Sequence, residues 1–418
     1  MNPLAEAERI RGRCLQLASI SETTEGILRS YLSAAHKQCN QQVATWMQSI
    51  GMMTWQDEVG NQWGRLTSEH PNAKQLILGS HLDTVPNAGA YDGILGVILA
   101  IEVAEALVKE DVSLPFHLDI VGFCDEEGTR FGTTLIGSSA ITGQFDPSWL
   151  NIKDAAGITM AQAMQDFGLN PKQIDQAALN PAQVLGYIET HIEQGPMLES
   201  QEASIGVVTA IAGARRAKVE FTGQPGHAGT TPMHLRLDAA VAASEWILAV
   251  EQLALSKTPD LVATVGEIKV APGAVNVIAG HIELSLDIRS QNDILRDECC
   301  LALTQKAELI AQQRGLTSKV TWFHEAPAVN CDHFLKQQLS KAVKTCSLPL
   351  IELPSGAGHD AMAIADFTKM AMLFIRSPKG ISHHPDEEVV DQDVQDAFRV
   401  ITQFLSTACK YASFFKPS

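Results

Sequence analysis

The fold is decided by residues 76–127, LILGSHLDTVPNAGAYDGILGVILAIEVAEALVKEDVSLPFHLDIVGFCDEE. An apolar run opens this stretch at 76–80, and a second run, apolar nearly throughout, covers 116–124. Between them, 96–109 reads as a helix with small and apolar residues on several faces. Continuous apolar strands separated by helices are typical of a parallel sheet covered on both faces. The stretch therefore predicts an α/β fold.

Polar residues stand where the two predicted strands end. His81 directly follows the first strand and Asp83 comes two residues later, while Glu126 and Glu127 follow the second strand. Asp92 stands just before the helix between them. In sheets of this kind, ligands gather at the carboxyl ends of the strands. We therefore expect these side chains to share one edge of the sheet.

Two later segments carry further polar residues of the same types. YIETHIEQGP (187–196) holds Glu189, His191 and Glu193, and GISHHPDEE (380–388) holds His383 and His384. Each residue alone has a common structural explanation: a hydrogen-bonded histidine, an N-cap aspartate or a solvated acidic turn. Taken together, two histidines and three carboxylates at equivalent strand ends are not explained by independent accidents.

This set of side chains suits a metal. Imidazoles and carboxylates without thiolates are typical ligands of Zn²⁺ or Mn²⁺ in a hydrolytic site. The candidates exceed the needs of one tetrahedral ion, which favours two ions bridged by a carboxylate. Asp83 is placed to orient the imidazole of His81. One glutamate of the pair 126–127 would bind metal and its neighbour would act as a base.

The pattern changes near residue 213. The segment that follows reads as strand, helix, two strands, helix and strand, at 217–222, 237–255, 261–270, 280–288, 294–314 and 318–323. This β-α-β-β-α-β order predicts a ferredoxin-like unit of about 110 residues. A strand at 371–375 and a helix at 394–412 follow it. We therefore predict a discontinuous domain, 1–212 and 326–418, with residues 213–325 inserted as a second domain.

Charge and composition exclude several classes of function. The 418 residues contain 31 Lys and Arg against 48 Asp and Glu, a net charge of −17, which disfavours nucleic acid and anionic membranes as partners. An anionic substrate then needs a local basic cluster. The apolar stretch 93–108 is interrupted by Glu102 and Glu105, and the N-terminus lacks the apolar region of a secretory signal. Eight cysteines without a CxxC pair predict reduced thiols and a cytoplasmic protein.

Six motifs resemble the M20 family of metal-dependent amidohydrolases and peptidases, in the branch that removes carbamoyl or ureido groups. They are GSHLDTVPNAGAYDG (79–93), DEEGTRF (125–131), ETHIEQGP (189–196), GHAGTTPM (226–233), SGAGHDA (355–361) and GISHHP (380–385). The resemblance covers nearly the whole chain. It implies a metallohydrolase catalytic domain with an inserted ferredoxin-like lid and dimerisation domain, and a homodimer.

The resemblance also implies the residues of a site holding two divalent ions, Zn²⁺ or Mn²⁺. The metal ligands would be His81, Asp92 as the bridging carboxylate, Glu127, His191 and His383, with His384 as the alternate for the last position. Glu126 corresponds to the general base, a carboxylate placed to move a proton from water to the leaving nitrogen.

Residues of the inserted domain would handle the substrate. His227 corresponds to a histidine that reaches the partner subunit's site and steadies the developing oxyanion, while Asn276 and Arg289 would hold the substrate carboxylate and Arg216 would add a second polar clamp. Alternatively, Arg216 is a solvated strand residue and Arg289 pairs with a structural acid. A loop of the first domain that lines the pocket would contain Gly356, Gly358 and His359, although glycines there could serve only a tight turn.

The activity that this resemblance implies is hydrolysis of a ureido C–N bond with release of ammonia and CO₂. Allantoate, a purine breakdown product, is the first choice of substrate, and an N-carbamoyl-L-amino acid or β-ureidopropionate is the alternative. An exopeptidase would more usually carry a carboxylate at position 191. A non-catalytic binding protein on this scaffold would usually have lost a ligand or the base, and none is lost here.

Overall fold

The computed structural model describes residues 4–410 and 415. The chain divides into two compact units: unit 1 consists of Met1–Thr209 and Cys331–Ser418, and unit 2 consists of Ala210–Asn330. In the described residues, no helix combines the length and the apolar character needed to cross a membrane.

The helices, in chain order, are α1 (Ala5–Ala18), α2 (Ala34–Ser49), α3 (Ile94–Lys109), α4 (Ile136–Ile141), α5 (Met160–Phe167), α6 (Met197–Ser200), α7 (Ala239–Leu255), α8 (Asp293–Gln313), α9 (His333–Thr345), α10 (Ala361–Ile364) and α11 (Asp391–Lys410). The strands are β1 (Met53–Gln56), β2 (Gln62–Leu66), β3 (Gln75–His81), β4 (His117–Phe123), β5 (Val184–Ile192), β6 (Ile205–Ile211), β7 (Gly213–Thr222), β8 (Gly226–His227), β9 (Leu261–Thr264), β10 (Ile268–Ala271), β11 (Val277–Ile278), β12 (His281–Ser290), β13 (Thr317–Ala326), β14 (Val329–Asn330), β15 (Glu352–Ser355) and β16 (Met370–Ile375).

Unit 1 is built on a mixed sheet. Its strand order is β1-β2-β4-β3-β5-β16-β6, with β15 also paired to β6. The four central strands are parallel, whereas β1-β2, β2-β4 and β16-β6 are antiparallel. The expectation of a parallel sheet is therefore correct for the centre and wrong for the edges. The short loop 57–61 between β1 and β2 leaves no room for the crossover that a parallel pair requires.

Helix α3 explains why its sequence shows no polar face. Twelve of its residues are buried, and ten of them belong to the main hydrophobic core, which also takes residues from α1, α2, α9 and α11. A helix that is apolar on all sides belongs inside a protein. Its one buried charge, Glu102, pairs with Arg9 and Arg13 of α1. Helix α11 starts at Asp391, and the predicted end of this helix at 412 lies outside the described residues.

Unit 2 contains an antiparallel sheet in the order β10-β12-β7-β13, with β9 paired to the other half of β12. Side chains of α7 and α8 join the buried face of this sheet in one hydrophobic core. The single strand expected at 261–270 is wrong: it is split into β9 and β10. The break occurs because Gly266 and Glu267 donate their backbone N–H groups to the hydroxyl of Ser285.

The parallel centre of unit 1 places three chain segments at one sheet edge. Strands β3, β4 and β5 run in the same direction side by side, and they end at His81, Phe123 and Ile192. Residues at and just beyond these carboxyl ends therefore meet.

Candidate metal centre

Asp92 lies at the centre of the cluster that forms at this edge. Its Oδ1 is 3.2 Å from His191 Nε2 and 3.7 Å from His81 Nε2. Its Oδ2 is 3.1 Å from His383 Nε2, which lies 3.4 Å from Oε1 of Glu127. The structure thus brings together the five residues expected as metal ligands.

His81 and His191 face each other because they occupy neighbouring parallel strands. His81 is the last residue of β3, and His191 is the last but one of β5. The Nδ1 atom of His81 lies 3.1 Å from the carbonyl of Asp83, and that of His191 lies 2.9 Å from the carbonyl of Ile192. Because a carbonyl only accepts, these bonds place a ring proton on Nδ1, so that the neutral form of each ring has its lone pair on Nε2.

The position of Asp92 depends on Gly93. This glycine has φ of +70°, and a Cβ on it would collide with the imidazole of His81. Gly93 is also the N-cap of α3 and no side chain caps the helix, so the N-cap explanation for Asp92 is wrong. The backbone N–H of Asp92 donates to Oε1 of Glu387 at 3.1 Å, which leaves the Asp92 carboxylate for the cluster.

Asp83 holds the two glutamates through their backbone. Its Oδ1 accepts the N–H of Glu126 at 3.0 Å and its Oδ2 accepts the N–H of Glu127 at 3.1 Å. The expected contact with His81 is present, but the carbonyl of Asp83 is closer to Nδ1 than its carboxylate, at 3.1 Å against 3.6 Å. Asp83 therefore ties the end of β3 to the turn that follows β4.

Only one of the two adjacent histidines near the C-terminus reaches the cluster. His383 adopts a left-handed backbone conformation, with φ of +56°, and its side chain is 47% exposed. His384 is instead bonded within its own turn, where Nδ1 accepts the N–H of Asp386 at 3.2 Å. The geometry thus favours His383 over its neighbour.

The donor atoms form overlapping groups that could hold a metal ion. One group, His81, Asp92 and His191, and a second, Asp92, Glu127 and His383, each offer ligand atoms within 4.8 Å of one another and share the aspartate. The Nε2 atoms of His81 and His191, both with lone pairs, lie only 3.4 Å apart. Oδ1 of Asp92 is buried without a hydrogen-bond partner in the described residues. In their neutral form, facing ring nitrogens and a buried carboxylate oxygen of this kind are suited to share a cation.

Electrostatics lead to the same conclusion. Burial raises the pKa of Glu126 well above its usual range, and the charges of Glu127, Asp360 and Asp83 raise it further. Burial likewise raises the pKa of Glu127 to about 8, with Asp92 adding to the effect. So many buried carboxylates repel one another, and a bound cation is the common means by which proteins stabilise such a set in its ionised form.

His359, expected in the substrate pocket, lies fully buried in unit 1. Its ring centroid is 4.5 Å from that of His191, and its Nε2 is 2.8 Å from Oγ of Ser355. Of the two glycines expected beside it, Gly356 has open space where a Cβ would stand, and Gly358 would meet only the sulfur of Met362 at 3.6 Å. A Cβ would therefore fit at both positions, and steric crowding does not require glycine at either one.

The four expected substrate residues of unit 2 form two groups. Arg216 and Arg289 both pair with Asp287, at 2.8 and 2.7 Å, so the alternative that Arg289 contacts an acid of its own unit matches the structure. His227 and Asn276 are exposed and adjacent, because the N–H of Ala228 donates to the carbonyl of Asn276 across the β8-β11 pair. Their roles toward a substrate stay predictions.

Sequence reasoning missed three residues that support the cluster. Gln194 donates to Oδ2 of Asp92 at 2.9 Å, and the hydroxyl of Ser382 lies 3.0 Å from the same oxygen. Glu387 accepts the N–H groups of Tyr91 and Asp92, at 2.8 and 3.1 Å. All three missed residues stand inside or next to the quoted motifs, which was the available signal.

Comparisons with known proteins show the family of the chain. The model of peptidase family M20/M25/M40 matches residues 77–407. An N-carbamoyl-L-amino acid amidohydrolase of Geobacillus stearothermophilus is 37% identical over 391 residues, covering 93% of this chain and 95% of that protein. Allantoate deiminase 1 of Glycine max is 37% identical over 424 residues, covering 94% of this chain and 88% of that protein.

A solved structure of the same kind was also found. The hydantoinase/carbamoylase family amidase from Burkholderia multivorans superposes with a TM-score of 0.91 at 30% identity, covering 96% of this chain and 98% of that one. The similarity therefore extends over the mixed α/β fold as a whole.

Proposed function

The chain belongs to peptidase family M20/M25/M40, and from this membership we propose that it is a dinuclear-metal amidohydrolase that cleaves a ureido or carbamoyl C–N bond. One observation carries the proposal: the carboxylate of Asp92 lies among the Nε2 atoms of three histidines from distant parts of the chain, at 3.1 to 3.7 Å. Nearly full-length relatives named for allantoate and for N-carbamoyl amino acids give the reaction class.

The proposed centre holds two divalent ions, Zn²⁺ or Mn²⁺. One would be bound by His81, Asp92 and His191, and the other by Asp92, Glu127 and His383. When bound, such ions polarise the carbonyl under attack and lower the pKa of the attacking water. The donor set contains nitrogen and oxygen atoms only, which suits either metal.

Glu126 is proposed as the general base. Its backbone is fixed by Asp83, and its side chain shares a cluster of candidate donor atoms with His81 and Glu127. From there the carboxylate would accept a proton from water and pass it to the leaving nitrogen, a role worth about 10²–10⁴ in rate. Products would be ammonia, CO₂ and the amine.

Allantoate is the proposed substrate, giving ureidoglycine or its breakdown product ureidoglycolate. The proposal is supported by the relative from Glycine max, which is named allantoate deiminase. Arg216 and Arg289, which both contact Asp287, would hold the substrate acid. Asn276 would help to hold the acid, and Gly358 and His359 would line the pocket. An N-carbamoyl-L-amino acid is the second candidate, favoured by the relative from Geobacillus stearothermophilus.

We further propose that residues 213–325 form a ferredoxin-like lid and dimerisation domain inserted between 1–212 and 326–418. Supporting this, β7 and β12 lie at the centre of the five-stranded sheet of unit 2. They are its first and third strands when β9 and β10, which pair with the two halves of β12, are counted as one. In the proposed homodimer, the exposed His227 steadies the oxyanion in the site of the partner subunit. A cytoplasmic location is proposed because all eight cysteines are free thiols.

A substrate panel with metal analysis on one preparation tests the proposal. The protein is dialysed against a chelator, reloaded with Mn²⁺ or Zn²⁺, and assayed on allantoate, N-carbamoyl-L-methionine and dipeptides. We expect ammonia release from allantoate, its loss on chelation and its return with metal. Activity on N-carbamoyl-L-methionine alone would establish the second candidate, and activity on dipeptides alone would reject both.

A further inference from the structure

Arg29 is a buried cation that the site described so far does not use. Its side chain has 0% exposure, yet its hydrogen bonds go to backbone carbonyls. Nε donates to Leu82 at 2.6 Å, and Nη1 donates to Leu17 and Ile20 at 2.9 and 2.8 Å. A buried guanidinium is costly unless its surroundings offer negative charge or dipoles in a fixed arrangement.

Two of the three carbonyls lie at or just beyond the carboxyl end of a helix. α1 ends at Ala18, so Leu17 lies in its last turn and Ile20 lies just beyond it. The last carbonyls of a helix lack partners within the helix and carry the negative end of its dipole. The carboxyl end of α1 therefore supplies the environment that stabilises the charge of Arg29.

The third carbonyl belongs to the segment that carries the metal ligands. Leu82 stands between His81 and Asp83. On the other side of Asp83, Thr84 forms two bonds with the backbone of Arg29: its hydroxyl accepts the N–H at 2.9 Å, and its own N–H donates to the carbonyl at 3.1 Å. Arg29 thus holds the residues on both sides of Asp83.

Asp83 transmits this constraint to the cluster. Its carboxylate fixes the backbone of Glu126 and Glu127, and its carbonyl accepts from the ring of His81. A shift of the 82–84 segment would therefore move one histidine, one metal-binding glutamate and the base together.

We propose that Arg29 is a positioning residue for the metal centre, which joins the carboxyl end of α1 to the Leu82–Thr84 segment and so sets the geometry of His81, Glu126 and Glu127. The inference rests on the proposed metal centre. Arginine suits the role because its planar fork reaches three carbonyls at once, whereas a lysine in its place would lack the planar fork of donors.

The test measures metal binding without substrate. Metal-free wild type, Arg29→Lys and Arg29→Gln are titrated with Mn²⁺ in competition with a chelator dye, and the visible spectrum of each Co²⁺-loaded form reports the ligand geometry. The control is Arg65→Lys, because Arg65 pairs with Asp119 near the start of β4, at the opposite end from Glu126. Thermal unfolding of each metal-free form reports the structural cost of each change.

We expect Arg29→Lys to fold, to bind Mn²⁺ about 10–100-fold more weakly and to give an altered Co²⁺ spectrum, as changes to residues behind metal ligands do. Arg65→Lys should keep wild-type affinity even if it melts earlier. Wild-type affinity and a wild-type spectrum in both Arg29 variants would overturn this inference and leave the proposed function standing. Equal losses in Arg65→Lys at equal thermal destabilisation would also overturn it, and a wild type that binds no cation would overturn the proposed function as well.

Discussion

The backbone N–H of Glu126 donates to Oδ1 of Asp83 at 3.0 Å, across 43 residues of chain. Glu127 makes the matching bond to Oδ2 at 3.1 Å, so one carboxylate holds the whole turn after β4. The direction of the Glu126 side chain is consequently set by its backbone. Its carboxylate can be changed without loosening the turn that carries it.

Replacing Glu126 by Gln should therefore remove the base and little else. We expect kcat to fall about 10²–10⁴-fold, because the amide cannot accept the proton of water. Metal content and melting temperature should stay at wild-type values, as measured by elemental analysis and calorimetry. Glu110→Gln, at an exposed glutamate, serves as the control. An undiminished rate in Glu126→Gln would show that Glu126 is not the general base.

The adjacent histidines at 383 and 384 provide a matched pair for the second metal position. His383→Ala should lower the bound metal from two ions per subunit toward one, because its Nε2 contacts both Asp92 and Glu127. His384→Ala should leave the metal content unchanged, since its contacts are with Asp386. The opposite result would transfer the ligand role to His384.

Glu387 should matter for metal binding although it is not a predicted ligand. Glu387→Ala leaves the buried N–H groups of Tyr91 and Asp92 without their acceptor, which costs about 2 kcal/mol or more. We expect an Mn²⁺ affinity about 10–100-fold lower, because Asp92 loses its support. Glu388→Ala, at the exposed neighbour, should match wild type in the same chelator competition.

Mixing two inactive variants tests the proposed homodimer. His227→Ala and Glu126→Gln should each be inactive alone. After unfolding and refolding together, activity should return, because a mixed dimer contains one site with an intact base and an intact His227 of the partner subunit. If each variant stays inactive in the mixture while size-exclusion chromatography shows dimers, His227 does not act across the interface.

Acid stability should depend on His36. Burial, together with the positive charge of Arg29, lowers its pKa from 6.5 to about 3. Between pH 6.5 and 3 the unfolded chain therefore binds a proton on His36 that the folded protein does not bind. The contribution of neutral His36 to the free energy of unfolding is complete above pH 6.5 and is lost as the pH falls toward 3. Between pH 6.5 and 5 this effect lowers the free energy of unfolding by about 2 kcal/mol.

Urea unfolding at the two pH values measures this loss. The difference in unfolding free energy between pH 6.5 and 5 should shrink by about 2 kcal/mol in His36→Gln, because glutamine does not titrate. His70→Gln, at an exposed histidine, should retain the wild-type difference. An unchanged difference in His36→Gln would show that other groups cause the acid sensitivity.

The central elements could be predicted from sequence because their burial is continuous. β3, β4 and β16 are apolar nearly throughout, and their predicted and observed ends agree within one residue. Neither β1 nor β2 was predicted, and their antiparallel direction depends on pairing and not on local pattern. The split of β9 from β10 could not be seen in the sequence, because residues 261–270, LVATVGEIKV, have the pattern of one continuous strand. The hydroxyl that interrupts the strand belongs to Ser285, which lies on another strand.

For the site, sequence reasoning worked where residue type alone signals chemistry. His81, Asp92 and His191 stand in motifs whose residue types suit a metal. Arg29 gave no such signal, and Glu387 gave only its place in the last motif, because their importance comes from hydrogen bonds to backbone groups 53 and 295 residues away. Such bonds depend on the tertiary fold, and an arginine or glutamate that makes them reads in sequence as an ordinary charged residue.

The position of β16 has a consequence for biosynthesis. This strand lies between β5 and β6 in the sheet, although it follows both in the chain by more than 150 residues. A nascent chain leaves the ribosome from its N-terminus, so β5 and β6 emerge long before the strand that separates them. The edges of these two strands that β16 covers in the finished sheet therefore stay unpaired until residues 370–375 have been made, and an unpaired strand edge is open to mispairing.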